Sequence, residues 1–147
     1  MSKFVQAILS GIFFTFILDF FIFLGIKLNY IDFYQIDVYY NILFADHQNI
    51  FIFTIFSFIL GAVVIYIKSN KVSIILIGVM FLLTLSTLFQ SVGHFVGEKM
   101  LMKKNTTLKD SRYTYVGNIY YNGRKTITFY DYELKKIILL NKKDLKK

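Results

Sequence analysis

Three long apolar segments constrain what this chain can fold into. They cover residues 4–26, 50–67 and 72–97. A helix needs roughly 20 apolar residues to cross a hydrocarbon core of about 30 Å, so each segment predicts a membrane-spanning helix. The first is too long for a cleaved signal peptide and ends in bulky residues, which indicates a retained anchor. The short connection between the second and third predicts an antiparallel hairpin.

An apolar content of 56% supports this interpretation, because ordinary soluble domains are less apolar. The predicted fold class is a membrane all-α bundle plus a small β unit. Residues 1–98 are predicted to form the membrane domain and residues 99–111 a connector. Residues 112–147 are predicted to form a small basic β-hairpin or meander.

Residues 27–49 separate the first two apolar segments. They hold three aspartates among many aromatic residues, so we do not expect them to cross the bilayer. Two structures fit this composition. One is a helix lying in the membrane interface with its rings at headgroup depth, and the other is an ordered aromatic loop packed on the helix ends.

The tail changes to a period of two, which is typical of β-strands. Asn122–Gly123 is a strong signal for a two-residue hairpin turn. Such a turn predicts a register in which Tyr115 opposes Tyr130 and Ile119 opposes Thr126. Residues 137–140 are predicted to add a third strand.

Asp19 is the most informative polar residue in the apolar segments. A carboxylate in a spanning helix usually faces protein and has a partner. Counting along the helices at about 1.5 Å per residue predicts a polar layer at the depth of Asp19. Its members are Asp19, Thr54, Ser86, Thr87 and Gln90. A proton or ion relay and a hydrogen-bonded packing cluster both fit; the second is favoured because no further titratable group lies at this depth.

Gly93 and Gly97 form a Gly-x-x-x-Gly pattern in the third segment. This spacing allows the backbone of another helix to approach closely. The pair therefore predicts a helix-packing surface, which we assign to a partner helix.

Two histidines and two carboxylates are predicted to lie near one membrane surface. These residues are Asp46, His47, His94 and Glu98. Their types suit zinc, but the spacing matches no known metal motif, and the chain has no cysteine to supply a thiolate. An interfacial salt-bridge cluster is therefore favoured over a metal site. We predict no catalytic set, no metal and no cofactor.

The distribution of basic residues predicts the orientation. Lys3, Lys68 and Lys71 fall on one side of the membrane, and Lys27 and the basic tail on the other. Short loops report orientation better than large polar regions, which favours an internal N-terminus and an external tail. A composition rich in Lys, Ile, Phe, Tyr and Asn, with few arginines, is typical of AT-rich genomes. We interpret it as bacterial and predict a cytoplasmic (inner) membrane location with the tail on the periplasmic side.

These features favour a non-enzymatic accessory protein that stabilises a larger membrane complex. The predicted partners are the lipid bilayer and a membrane protein or a second copy of the chain, with no nucleic acid. One alternative is a small oligomeric proton or ion conductor, or a transporter subunit, that uses Asp19. Another is a metal-dependent membrane enzyme that uses His94 and Glu98.

Overall fold

The computed structural model describes residues 2–145, and within this range five α-helices precede four β-strands. The helices are α1 (Lys3–Ile26), α2 (Tyr40–His47), α3 (Ile50–Tyr66), α4 (Asn70–Leu85) and α5 (Gln90–Leu101). The strands are β1 (Lys103–Lys109), β2 (Thr114–Asn122), β3 (Thr126–Asp131) and β4 (Lys136–Asn141). The predicted combination of helices with a small antiparallel β unit is confirmed.

α1 continues into a π-helical turn (Lys27–Ile31), which makes one rod of 29 residues. Ser2 caps its N-terminus by accepting a hydrogen bond from the backbone N–H of Val5 at 3.3 Å. The helix extends past the predicted end at Ile26 because Tyr30 and Ile31 are completely buried against the rest of the chain. Tertiary packing thus continues the helix beyond the predicted apolar segment.

Two helical stretches within residues 2–145 are long and apolar enough to cross a membrane, judged by length and composition. They are residues 3–31 and residues 70–88. α3 has 17 residues and meets α2 at a bend of 86°, so it makes a third span only when the bent pair is counted together. The aromatic segment 27–49 contains the π-helical turn, an irregular stretch and the short helix α2.

α1 and α3 pack antiparallel through small residues. A Cβ added to Gly11 would lie 1.8 Å from the carbonyl oxygen of Ser57, and one added to Gly61 would lie 2.0 Å from that of Ala7. These distances leave no space for a side chain, so the two backbones are in direct contact. The N-terminal end of α1 consequently lies beside the C-terminal end of α3.

The third apolar segment is not the single helix predicted over residues 72–97. α4 ends in a 3₁₀ turn (Ser86–Leu88), and α5 begins after Phe89, whose backbone is extended. The hydroxyls of Thr84 and Ser86 donate to carbonyl oxygens three residues earlier. Such side-chain bonds compete with helical backbone bonds, which explains the interruption.

The sheet has four antiparallel strands in sequential order rather than three. The additional strand, β1, lies inside the predicted connector. The predicted hairpin register is wrong, since Ile119 pairs with Phe129 and Asn122 with Ile127. Asn122 belongs to β2, and the loop to β3 has three residues and includes Gly123. Gly123 has no positive φ, so the two-residue Asn-Gly turn is absent from this loop.

Two apolar cores organise the described residues. One joins the last turns of α1 to α2, α5 and β2 around Tyr30, Leu43 and Tyr121. The other lies within the sheet around Ile119 and Phe129. The first core attaches the sheet to the end of α1 that is opposite Lys3.

Candidate functional site: the junction between helices and sheet

Aromatic side chains from three parts of the chain meet where the sheet joins the helices. The rings of Tyr34 and Tyr120 lie 4.2 Å apart, and those of Tyr120 and Tyr130 stack at 5.8 Å with 9° between their planes. The Tyr30 hydroxyl donates to the carbonyl oxygen of Tyr120 at 2.9 Å. We call this group, with His94, the aromatic junction. Burial raises the pKa of Tyr120 to about 12, so its hydroxyl stays protonated at neutral pH.

A β-bulge in β2 makes this contact possible. The register with β3 shifts between Ile119 and Tyr121, so Tyr120 is the extra residue. Neighbouring residues of a regular strand point to opposite faces, whereas Tyr120 and Tyr121 both pack against the helical core. The bulge thus lets two consecutive tyrosines of β2 contact the helices.

Two ion pairs flank the aromatic junction. Arg124, in the β2–β3 loop, donates to Asp46 from Nε at 2.9 and 3.0 Å and from a terminal guanidinium nitrogen at 2.6 Å. Hydrogen bonding from Arg124 lowers the pKa of Asp46. Lys104 pairs with Glu98, and this hydrogen bond lowers the pKa of Glu98. Each pair connects a helix to the sheet region.

Asp19 has a partner that the sequence did not reveal. The side-chain amide of Gln48, between α2 and α3, donates to its carboxylate at 3.0 Å. Asp19 is therefore level with the first turn of α3, not with its middle. Two hydroxyls of the predicted layer bond within their own segments, with Thr54 donating to the carbonyl oxygen of Ile50 and Ser86 to that of Leu83.

Thr87 and Gln90 are the remaining members of the predicted layer. The Thr87 hydroxyl lies 3.1 Å from the Phe21 carbonyl oxygen and 2.6 Å from that of Thr84, so it joins the 3₁₀ turn to α1. Gln90 is exposed at the start of α5. Thr87 thus makes a long-range contact with α1 two residues beyond Asp19, and its partner is a backbone carbonyl.

Gly93 and Gly97 do form a packing surface, but the chain itself covers it. A Cβ on Gly93 would lie 2.2 Å from the Thr87 carbonyl oxygen, and one on Gly97 would lie 2.4 Å from Cβ of Tyr30. The pair therefore lets α5 approach the end of α1. The predicted assignment of this surface to a partner helix is therefore wrong, because Thr87 and Tyr30 leave no room for one.

The predicted interfacial polar cluster is divided among separate contacts. The ring of His47 lies beside that of Tyr121, with centroids 5.4 Å apart and 40° between their planes. His94 Nδ1 lies 3.1 Å from the carbonyl oxygen of Asn29. Asp46 forms its ion pair with Arg124, and Glu98 forms its ion pair with Lys104. Within residues 2–145, no three His, Asp or Glu side chains are grouped so that they could hold a metal ion.

Several residues important to this arrangement were missed from the sequence. The small residues of the α1–α3 contact recur at four-residue spacing, Ala7 with Gly11 and Ser57 with Gly61, and this signal was present but not used. Gln48 and Arg124 carry no such signal, because their partners are distant in the sequence. Among residues 2–145, the Thr15 and Tyr121 hydroxyls are buried polar atoms without a hydrogen-bond partner.

Comparison of the chain with protein families, with curated proteins and with solved structures found no match.

Proposed function

We propose that this chain is a small integral membrane accessory protein that binds a larger membrane complex and holds its sheet at the membrane surface. The proposal has two parts, the placement of the bilayer and the presence of a protein partner. The first is supported by an exposed apolar band on three helices, and the second by the part of that band on α4.

The placement follows from a band of exposed apolar side chains. The band runs from Phe4 to Phe20 on α1, over the whole of α3, and from Val72 to Phe89 on α4 and the 3₁₀ turn. Each stretch rises about 24–26 Å at 1.5 Å per residue, close to the thickness of a hydrocarbon core. Three separate helices thus have apolar surfaces of matching height, which supports a membrane-spanning bundle with Asp19 and Gln48 at its rim.

This band also accounts for the remainder of α1. Beyond Asp19 the helix becomes buried, with Phe23 and Ile26 at most 3% exposed. α1 therefore passes from the proposed membrane into the core that carries the sheet. The sheet and the Lys68–Lys71 connection fall on opposite sides of the membrane.

The single observation that carries the protein partner is the exposure of α4. Only 17% of the most apolar stretch of α4 and the following 3₁₀ turn is buried, and a Cβ on Gly78 would meet no atom of residues 2–145 within 4 Å. α4 also exposes large apolar side chains, including Ile74, Ile75, Leu82 and Leu83. A small residue among bulky ones gives the surface a shallow recess, which suits a packed helix.

The conductor alternative receives less support. A proton carrier needs a carboxylate that exchanges protons along a path of titratable groups, and Asp19 is hydrogen-bonded to an amide at the rim of the band. The buried and ion-paired polar groups at the junction are used to connect helices and sheet. A scaffold needs such contacts, so we retain the accessory function.

Site-specific cross-linking tests the partner. The chain has no cysteine, so Ile75→Cys on α4 introduces one reactive position, and Phe13→Cys on α1 is a control of similar exposure. After labelling with a photoactivatable maleimide in native membranes, we expect Ile75→Cys to give an adduct of defined larger mass and Phe13→Cys to give none. Equal yields at both positions would contradict a partner surface on α4.

Reporter fusions test the membrane placement. Fusions after Ser69 and after Lys147 should report opposite sides of the membrane, with the C-terminal reporter outside. Both reporters on one side would contradict the proposed number of spans. Opposite sides with the C-terminal reporter inside would reverse the orientation and leave the span number intact.

A further inference from the structure

The end of the sheet nearest the membrane carries a cluster of basic residues. It consists of the β2–β3 loop and the residues that follow β4, and we call it the basic end. Its cations are Arg124, Lys125, Lys142 and Lys143. We propose that the basic end binds the phosphate groups of anionic phospholipids, an inference that rests on the bilayer placement proposed above.

The position of the basic end follows from α2. Phe44 of α2 packs against Phe16 and Phe23 of α1, with ring centroids 5.8 and 5.1 Å apart. α2 therefore lies across α1 at the rim of the apolar band. Arg124 reaches the far end of α2 at Asp46, two residues from Gln48. This ion pair holds the β2–β3 loop at the depth expected for headgroups.

The lysines of the basic end lie next to this anchored loop. The backbone N–H of Lys142 donates to the carbonyl oxygen of Lys125 at 3.0 Å. Lys125, Lys142 and Lys143 are exposed, and they belong to none of the ion pairs found within residues 2–145. Together with Arg124, Asn141 and Asp144 they line a groove of about 390 Å³. Asp46 already neutralises Arg124, so the three lysines face one carboxylate in this groove, that of Asp144.

The groove adjoins an apolar cleft, which is the feature that points to lipid. The cleft has a volume of about 430 Å³, and Arg124 and Lys125 line both spaces. Its walls include Val38, Ile42 and Leu139, and Leu139 is 68% exposed. Asp37 is the acidic residue on its lining. A phospholipid has a phosphate beside apolar chains, so its two chemistries match the groove and the cleft, whereas a soluble polyanion would use the groove alone.

The opposite end of the sheet lacks this pattern. Its loops contain Asp110 and Glu133 as well as Arg112 and Lys135, so positive and negative side chains alternate there. Asp110 accepts hydrogen bonds from the backbone N–H groups of Arg112 and Tyr113, both at 2.6 Å, and so closes its own loop. Cations at the opposite end are thus accompanied by more carboxylates than those of the basic end, where Asp144 is the carboxylate in the groove.

Lipid co-purification from reconstituted protein tests the inference. The full chain is inserted into vesicles of phosphatidylcholine and phosphatidylglycerol, washed at alkaline pH and extracted into mild detergent. Bound lipids are then counted by native mass spectrometry. The test variant is Lys125→Gln with Lys142→Gln and Lys143→Gln. The control is Lys109→Gln with Lys135→Gln and Lys136→Gln, which removes equal charge from the opposite end.

We expect the wild-type protein and the control variant to enrich phosphatidylglycerol over phosphatidylcholine. For each removed lysine that contacts a headgroup, the enrichment of phosphatidylglycerol in the test variant should fall about fivefold. Equal enrichment in both variants, or removal of wild-type enrichment by free inorganic phosphate, would overturn the inference.

The outcome also separates this inference from the membrane placement. Protein that survives the alkaline wash but shows no preference for phosphatidylglycerol would overturn the lipid site alone. Protein that leaves the vesicles in the wash would overturn the placement and the lipid site together.

Discussion

At the scale of single residues, the polar side chains are explained by the backbone and side-chain groups they satisfy. Asp19 accepts from Gln48, which lies 29 positions further along the chain. Asn29 donates to the carbonyl oxygens of Thr87 and Leu88, which the end of a 3₁₀ turn leaves without helical partners. These contacts determine where α3 and α5 begin relative to α1.

Replacement of Asp19 distinguishes a structural carboxylate from a titrating one. Asn keeps the shape and can still accept from Gln48, so Asp19→Asn should leave the melting temperature in detergent nearly unchanged. Asp19→Leu leaves the partly buried side-chain amide of Gln48 without this acceptor. The free energy of unfolding should therefore fall by about 1–3 kcal/mol. Gln48→Leu in the Asp19→Leu background should then cost less than it does alone.

That expectation fails if the effects of Asp19→Leu and Gln48→Leu simply add. A well-assembled Asp19→Asn protein that cannot complement a deletion strain would favour the conductor over the accessory protein.

Two tyrosines at the same surface allow a matched comparison. The Tyr30 hydroxyl donates to Tyr120, whereas the Tyr121 hydroxyl is buried without a partner among residues 2–145. Tyr30→Phe should lower the free energy of unfolding by about 0.5–1.5 kcal/mol because the Tyr120 carbonyl loses its donor. Tyr121→Phe should be neutral or stabilising, as measured by chemical denaturation in detergent. A larger loss at Tyr121 would mean that its hydroxyl has a partner in the folded protein.

At the scale of elements, the helices pack through close contacts between their backbones, where most bundles pack through larger side chains. α1 and α3 meet at glycines, and α5 meets α1 at Gly25, Gly93 and Gly97. Close approach of this kind is favourable in membranes, where apolar side chains gain little by leaving lipid. The exposed side of α4 is the exception, because a Cβ on Gly78 would have no neighbour within 4 Å in the described part of the chain.

Alanine substitutions at Gly11 and Gly78 test this difference between the covered surface of α1 and the exposed surface of α4. Gly11→Ala places a methyl group against the Ser57 carbonyl oxygen and should destabilise the fold by about 1–3 kcal/mol, since the backbones must separate. The methyl group of Gly78→Ala meets no atom of residues 2–145 within 4 Å, so this change should be neutral or should stabilise the helix by up to about 1 kcal/mol. Thermal unfolding of both purified variants in one detergent gives the comparison.

A destabilised Gly78→Ala protein in native membranes, but not in detergent, would locate the partner helix on α4. Comparable stability of the two variants in detergent would contradict the tight α1–α3 contact.

At the scale of the whole molecule, the sheet is held on the helices by the aromatic junction and the two flanking ion pairs. Hydrogen bonds from Arg124 and Lys104 lower the pKa values of Asp46 and Glu98 below their ordinary values of 3.8 and 4.5. A carboxyl whose pKa is lowered on folding stabilises the folded state above its unfolded pKa. That contribution is lost as pH falls through the folded pKa.

Acid should therefore loosen the sheet from the helices. We expect the near-ultraviolet circular dichroism of the stacked tyrosines to stay constant from neutral pH to about pH 5 and to decline below it. Asp46→Asn with Glu98→Gln should reduce the signal at neutral pH and flatten its pH dependence. A wild-type signal that persists after full protonation of both carboxyls would show that the ion pairs do not hold the sheet.

How much of the structure can be predicted from the sequence depends on how far apart along the chain the contacting residues lie. Apolar length alone predicted long hydrophobic helices, and alternation predicted an antiparallel sheet, because both are local patterns of burial. The register failed because the Asn-Gly signal assumed a two-residue turn. Packing of Tyr120 and Tyr121 against the helical core instead placed a bulge in β2 and left three residues in the loop.

The sequence by itself determined which stretches are apolar, where polarity resumes and which residues are small enough for close packing. Only the tertiary structure decided how these parts are used. Gln48 was brought to Asp19, Arg124 to Asp46, and Tyr30 against Gly97. The physical reason is that a hydrogen bond or ion pair needs a specific partner at one distance and angle, and spacing along one chain segment cannot specify a partner on another.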